Sequence, residues 1–179
     1  MVNNTERIDD VRTQFIEKIT DNMDAFGAPK SVGLILGIIY MNREPMTLDE
    51  LSAETGMSKT RMSQVVREMI DMNITERVFK KGFRKDLYQV EEDYYQTFIS
   101  LFTSTWQKAI NRSRHFEQRL KRKLDELKEQ PDLTEEDEQA INNLLAELHE
   151  WKEYYDWIRR VAEFFESGEI FEYVPKKRR

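Results

Sequence analysis

The chain has 179 residues, 39% of them hydrophobic, and carries 34 acidic against 28 basic side chains for a net charge of −6; this is enough apolar residue to bury a core, which excludes disorder throughout. With no cysteine, disulfides, thiolate zinc sites and thiol catalysis are excluded and a reducing cytoplasm is the expected location, while two histidines, His115 and His149, offer little for a metal or for imidazole catalysis. Six glycines and four prolines suit long helices better than a strand-and-turn sandwich, and the longest apolar run, near residues 32–41, is far short of the ~20 residues of a membrane span.

Residues 1–10 are polar and acidic and show no signal-peptide pattern. Over residues 6–24, Ile8, Val11, Phe15, Ile19 and Met23 recur at spacings of three and four, the mark of an amphipathic helix, with Phe26 following and Gly27 as its stop. Pro29 opens a second helix over residues 30–42 that is apolar nearly all round and therefore buried. Its Gly33 and Gly37, four apart, would let another helix approach closely. After the break at Pro45, Thr47-Leu48-Asp49-Glu50 is a capping box that starts a short helix ending at Gly56. Ser58 caps the next helix, residues 59–70, whose inward stripe is Met62, Val65, Val66, Met69 and Ile70. Residues 74–79 and 86–90 have strand character around the basic turn Lys80-Lys81-Gly82-Phe83-Arg84-Lys85, which reads as a hairpin.

One helix spans residues 92 to about 130, aromatic first and then rich in Lys and Arg. Pro131 interrupts, and Thr134 with Asp137 resembles a second capping box. In the last helix Ile141, Leu144, Leu148, Trp151, Tyr155, Ile158, Ala162 and Phe165 alternate at spacings of three and four, a seam for coiled-coil-like packing. Phe116, Leu120, Leu124 and Leu127 offer a complementary stripe, so an antiparallel hairpin is expected, within one chain or between two. Ser167-Gly168 ends the helix.

Helix, tight turn, helix and basic-tipped hairpin is the layout of a winged helix-turn-helix. The expected fold is mainly α with a small β-wing: a winged helix-turn-helix domain over residues 1–91, a helical hairpin for dimerisation and effector response over residues 92–174, and a basic tail at 175–179. The charge is segregated accordingly. Residues 58–90 carry a net +4, whereas residues 131–174 carry −10 and residues 1–57 carry −5. A polyanion responds to the local patch more than to the total, because screening acts over ~8 Å at physiological salt. With the apolar stripe turned inward, Ser58, Lys59, Thr60, Arg61, Ser63, Gln64 and Arg67 remain to meet base edges and phosphates in a major groove. Lys80, Lys81, Arg84 and Lys85 would meet the duplex backbone or minor groove. The expected partner is double-stranded DNA. The alternative is a winged-helix protein–protein adaptor that does not bind DNA. No phosphate loop, nucleophile elbow, metal-ligand spacing or acid–base pair stands in the sequence, so neither an enzyme nor a cofactor is expected.

Several runs carry a wider resemblance: Ser31-Val32-Gly33, Pro45-Met46-Thr47-Leu48-Asp49-Glu50, Gly56-Met57-Ser58-Lys59-Thr60, Tyr88-Gln89-Val90-Glu91, Trp106-Gln107-Lys108-Ala109-Ile110 and Glu153-Tyr154-Tyr155-Asp156-Trp157. Across almost the whole chain the sequence resembles the GbsR family, bacterial and archaeal winged-helix regulators related to the MarR type. The resemblance implies a homodimeric repressor on a palindromic operator, controlling choline import and conversion to the osmotic-stress protectant glycine betaine, with choline as the directly bound inducer. Tyr94, Tyr95, Phe98, Phe102 and Trp106 fall within about 120° of helical arc, and Phe26 and Tyr40 would close such a wall into a box. A quaternary ammonium cannot donate a hydrogen bond, so aromatic faces are the natural way to hold it. The same stripe equally suits a core or a dimer interface.

Overall fold

A computed structural model describes residues 4–177; Arg178 and Arg179 of the basic tail lie outside the described residues. The chain forms two compact units, Met1–Ser104 and Thr105–Arg179.

In the first unit, α1 (Asn4–Asn22) leads through a 3-10 turn (Met23–Phe26) into α2 (Lys30–Asn42). Helix α2 is the buried helix its composition requires, with Val32, Ile35, Leu36, Ile38, Ile39 and Tyr40 all out of solvent. Gly33 and Gly37 are the points of close approach to α1. A Cβ built on Gly33 would lie 2.7 Å from the Thr20 Cα, and one on Gly37 3.2 Å from the Ile16 Cα.

Next come α3 (Leu48–Thr55) and α4 (Lys59–Asp71). The capping box forms as expected: the Thr47 hydroxyl accepts from the Glu50 N–H at 3.2 Å, and the Glu50 carboxylate accepts from the Thr47 N–H at 2.7 Å. Such a cap contributes about 1 kcal/mol, and these bonds hold the Glu50 carboxyl below its usual range. Gly56 turns the chain at φ 70°, a conformation that costs glycine nothing and other residues about 1 kcal/mol or more. On α4, Met62, Val65, Val66 and Met69 are buried, but Ile70 is 37% exposed. It was expected inward; one residue past Met69, it is rotated by about 100° off the core face.

The sheet has one strand more than the expected hairpin. The short β1 (Met46–Thr47) pairs antiparallel with β3 (Leu87–Val90), which pairs with β2 (Thr75–Val78), giving the order β1-β3-β2. Two residues carry no periodicity, which hid β1 in the sequence. The core joins α2, Leu51 of α3, the α4 stripe, Ile74 and the sheet residues Tyr88 and Val90, and it also takes in Leu101. Helix α5 (Tyr94–Lys128) therefore begins in the first unit, so the unit ends at Ser104 where the sequence suggested residue 91.

In the second unit, α5 and α6 (Glu135–Glu166) form the helical hairpin within one chain. Leu124, Ile141 and Leu148 are its buried contacts, and the Trp151 indole N–H donates to the Ser113 hydroxyl at 2.6 Å. Thr134 and Asp137 form the second capping box at the start of α6. The seam is only half closed. Ile141, Leu148, Ile158 and Ala162 are buried and Tyr155 and Phe165 half-buried, whereas Leu144 and Trp151 are exposed. A short α7 (Ile170–Tyr173), not foreseen from the sequence, follows Gly168.

Candidate nucleic-acid interface

The helix-turn-helix is α3 and α4, and the wing is β2, β3 and the loop between them. Ser58 sits in extended conformation at the start of α4, and its hydroxyl accepts from the Arg61 N–H at 3.3 Å. The remaining first-turn N–H groups and the positive end of the helix dipole lie at the exposed end that would face a phosphate. At about 100° per residue, Thr60, Gln64 and Arg67 lie opposite the buried stripe. Lys59 and Arg61 occupy the two flanks. All five are exposed, as is Ser58, and Ser63 is half-buried. The Arg61 guanidinium donates to the Ser31 hydroxyl of α2 at a long 3.4 Å, a contact readily exchanged for a better acceptor.

Lys80, Lys81, Arg84 and Lys85 are all exposed on the wing loop. The loop is closed by a turn in which the Phe83 N–H donates to the Lys80 carbonyl at 3.0 Å, and Arg77 and Asp86 pair at its base at 3.2 Å. Replacing Lys81 or Arg84 by alanine should weaken binding to every duplex about equally and lower the slope of log K against log salt by ~0.9 for each lost phosphate contact. Titration over a salt series measures this. A loss confined to one sequence, with the slope intact, would contradict a backbone role.

Two residues of this surface escaped the sequence reading. Phe79 is 89% exposed at the edge of the basic loop. Asp49 takes one lysine on each carboxylate oxygen, with Lys59 Nζ at 2.5 Å and Lys85 Nζ at 2.7 Å. The hydrogen bond from Lys59, then that from Lys85, holds the Asp49 carboxyl down at about 2, and the Lys85 ammonium is raised by the same pairing. Since the carboxyl is depressed, the pairing is present above the ordinary carboxylate range and lost only as pH falls toward about 2. Two of the expected DNA-contacting lysines are thus engaged with the protein.

The expected aromatic box is partly assembled. Phe26, Tyr40, Tyr94 and Phe98 line a cavity of about 200 Å³ in the first unit, together with Ile19, Met23, Leu36 and Leu101. Tyr40 and Tyr94 stack at 4.5 Å, Phe26 meets Phe98 edge-on at 5.8 Å, and Phe102 stacks on Phe98 at 6.1 Å. Phe102, Tyr95 and Trp106 are not among the lining residues. No lining residue bears a charge. Partial burial, then a hydrogen bond with Tyr40, pushes the Tyr94 phenol up to about 12, so no phenolate forms there near neutral pH. Among the described residues, no group of His, Asp and Glu side chains is placed to hold a metal ion, and no helix is long and apolar enough to cross a membrane.

Comparison with known proteins bears on both units. Residues 94–172 match the model of the C-terminal helical hairpin of GbsR family transcriptional regulators. The chain is 60% identical over 169 residues to the HTH-type transcriptional repressor OpcR of Bacillus subtilis, covering 94% of this chain and 91% of that one. It is 59% identical to the putative HTH-type transcriptional regulator YvaV of the same organism, covering 94% and 95%. With the HTH-type transcriptional repressor GbsR, also of Bacillus subtilis, it shares 33% identity over 94% of this chain and 93% of the relative. A crystal structure of a transcriptional regulator shares the fold at a TM-score of 0.60 and 16% identity, covering 92% of this chain and 99% of that one. These relatives are repressors and regulators, not enzymes.

Proposed function

The chain belongs to the GbsR family of transcriptional regulators, and on that premise we propose that it is a cytoplasmic, homodimeric repressor released from its operator by choline or a related quaternary ammonium osmolyte. Its targets are then genes of glycine betaine synthesis or uptake. The observation that carries the effector reading is the convergence of four aromatic rings, Phe26, Tyr40, Tyr94 and Phe98, on one cavity of about 200 Å³ with no charged lining residue, the Arg43 guanidinium lying outside that lining at 4.6 Å from the Tyr40 ring centre. Such a cavity suits a cation that presents methyl groups instead of N–H donors, because ring faces attract it without needing a hydrogen bond. Helix α2 carries Tyr40 at its C-terminal end and continues through β1 into α3, so an occupant of the cavity has a covalent route to the reading head.

Dimerisation is supported by the open side of the hairpin. Phe116, Leu127, Leu144 and Trp151 are exposed along an apolar groove of about 760 Å³, which a second copy would close. In the dimer, two α4 helices must enter successive major grooves of a palindromic site with centres ~34 Å apart. The effector releases the repressor only if it binds a state of different α4 spacing more tightly, since equal affinity for both states shifts nothing.

Calorimetry with choline, glycine betaine and a non-quaternary amine of similar size tests the effector. Heat is expected from a quaternary ligand and not from the amine, and Phe98→Ala should weaken binding about tenfold, the loss of one ring face at ~0.5–2 kcal/mol. No heat from either quaternary compound would sink the effector assignment and leave the DNA reading standing.

A further inference from the structure

We infer that Asp49 is a specificity-determining residue of the DNA-reading surface: it holds Lys59 and Lys85 on the protein, keeping two cations from DNA of arbitrary sequence. The inference rests on the DNA-binding reading and concerns a residue that is not among the expected DNA contacts.

The geometry joins three elements at one carboxylate. Asp49 stands in the first turn of α3, fixed by the capping box of Thr47 and Glu50. Lys59 is the first residue of α4, and Lys85 ends the basic loop of the wing shortly before β3. Each carboxylate oxygen takes one ammonium, at 2.5 and 2.7 Å. A lysine at the first position of a helix faces the positive end of the dipole, where a cation is disfavoured. Asp49 offsets that repulsion and turns Lys59 toward α3 and the wing. It also ties the wing to the start of α4, which sets the spacing of the two parts that must meet the duplex together.

Random and specific DNA depend on this clamp differently. Random DNA is held through phosphate neutralisation, which counts available cations and tolerates any register. A specific site adds base contacts that require the reading helix and wing in fixed relation. Opening the clamp therefore strengthens random binding outright. On the specific site the same electrostatic gain is opposed by the loss of preorganisation.

The experiment uses full-length protein, a random-sequence duplex, and a duplex enriched from a randomised pool by the wild-type chain. Asp49→Asn should tighten random-duplex binding about tenfold at moderate salt and steepen its salt slope by roughly one to two, at ~0.9 per freed lysine. Binding to the enriched duplex should tighten less, so the ratio of the two affinities falls. Asp49→Glu should keep the wild-type slope. Adding Lys59→Gln and Lys85→Gln to Asp49→Asn should return the slope to the wild-type value. A slope that stays steep would mean that loss of the Asp49 charge alone had acted, overturning the inference, as would an unchanged slope in Asp49→Asn. Amine acylation of the wild-type chain, read by mass spectrometry, needs no variant. Lys59 and Lys85 should react more slowly than Lys80 and Lys81, and equal rates overturn the clamp. Failure of the wild type to bind either duplex removes the DNA reading itself, whereas wild-type binding with an unaltered Asp49→Asn slope removes this inference alone.

Discussion

Gly33→Ala should destabilise the first unit by about 2 kcal/mol, and Gly33→Val by about 3 kcal/mol or more, even though alanine gains ~1 kcal/mol over glycine in a helix interior. The new Cβ would lie 2.5 Å from the Met23 Cγ and 2.7 Å from the Thr20 Cα. Met23 is 3% exposed and has little room to turn away, and a backbone Cα yields only if α1 itself moves. Scanning calorimetry should show the alanine variant's transition lowered by roughly 5–10 °C. Gly37→Ala is the internal control. Its Cβ would meet Ile16 atoms at 3.2 Å, tight but relievable, so the helix-propensity gain should leave the net change within about 1 kcal/mol. Equal losses at the two positions would contradict close helix approach as the reason for glycine at 33. The effect should reach ligand binding as well, because α2 carries Leu36 and Tyr40 into the aromatic cavity while α1 supplies Ile19.

Which features could be read from the sequence follows from how far apart their parts lie. Both capping boxes, the turn at Gly56 and the inward stripe of α4 are written within a few residues; the caps and the turn form as expected, and the stripe does so at Met62, Val65, Val66 and Met69 but not at Ile70. Strand β1 was not readable, because two residues between a proline break and a helix show neither alternation nor length, and Met46 becomes a strand residue only by pairing with Tyr88. The Asp49 clamp was hidden for a related reason. Asp49 and Lys85 are 36 positions apart, and an acidic residue in a first helical turn is explained sufficiently by the dipole. The hairpin seam shows a third case. Its period was plain, but periodicity says which side chains share a face and not how much of that face one partner helix can cover. Leu144 and Trp151 lie on the seam and stay exposed, because α5 closes only one side of it. The aromatic stripe divided likewise: Tyr94 and Phe98 reach the cavity with Phe26 and Tyr40, while Tyr95, one position from Tyr94, is turned away from it.

Gln64→Ala and Arg61→Ala should each weaken binding to a specific duplex by about 1–3 kcal/mol, roughly five- to 150-fold, and their effects on random DNA should separate them. Gln64 is central on the exposed face of α4, opposite Met62, Val65, Val66 and Met69, and carries no charge. Its loss should leave both random-duplex affinity and the salt slope unchanged, since no counterion is released on its account. Arg61 stands on the flank nearer α2, where its guanidinium touches Ser31 at 3.4 Å. Leaving that contact costs little, so Arg61 is available to a guanine edge or to a phosphate. A base role predicts a large loss on the specific duplex with a small change in slope, whereas a phosphate role predicts matched losses on both duplexes and a slope lower by ~0.9. The far end of the same face is expected to disfavour DNA: Asp71, about two turns beyond Gln64, is exposed and would repel a phosphate. Reading is thereby expected in the stretch of α4 from Thr60 to Arg67, toward the N-terminal end of the helix, which ordinarily meets base edges. Asp71→Asn should accordingly strengthen binding to both duplexes by a similar factor, while Gln64→Ala acts on the specific one alone. Equal losses from Gln64→Ala on the two duplexes would refute base readout by this residue, and would shift the reading toward Thr60 and Arg67 on either side of it.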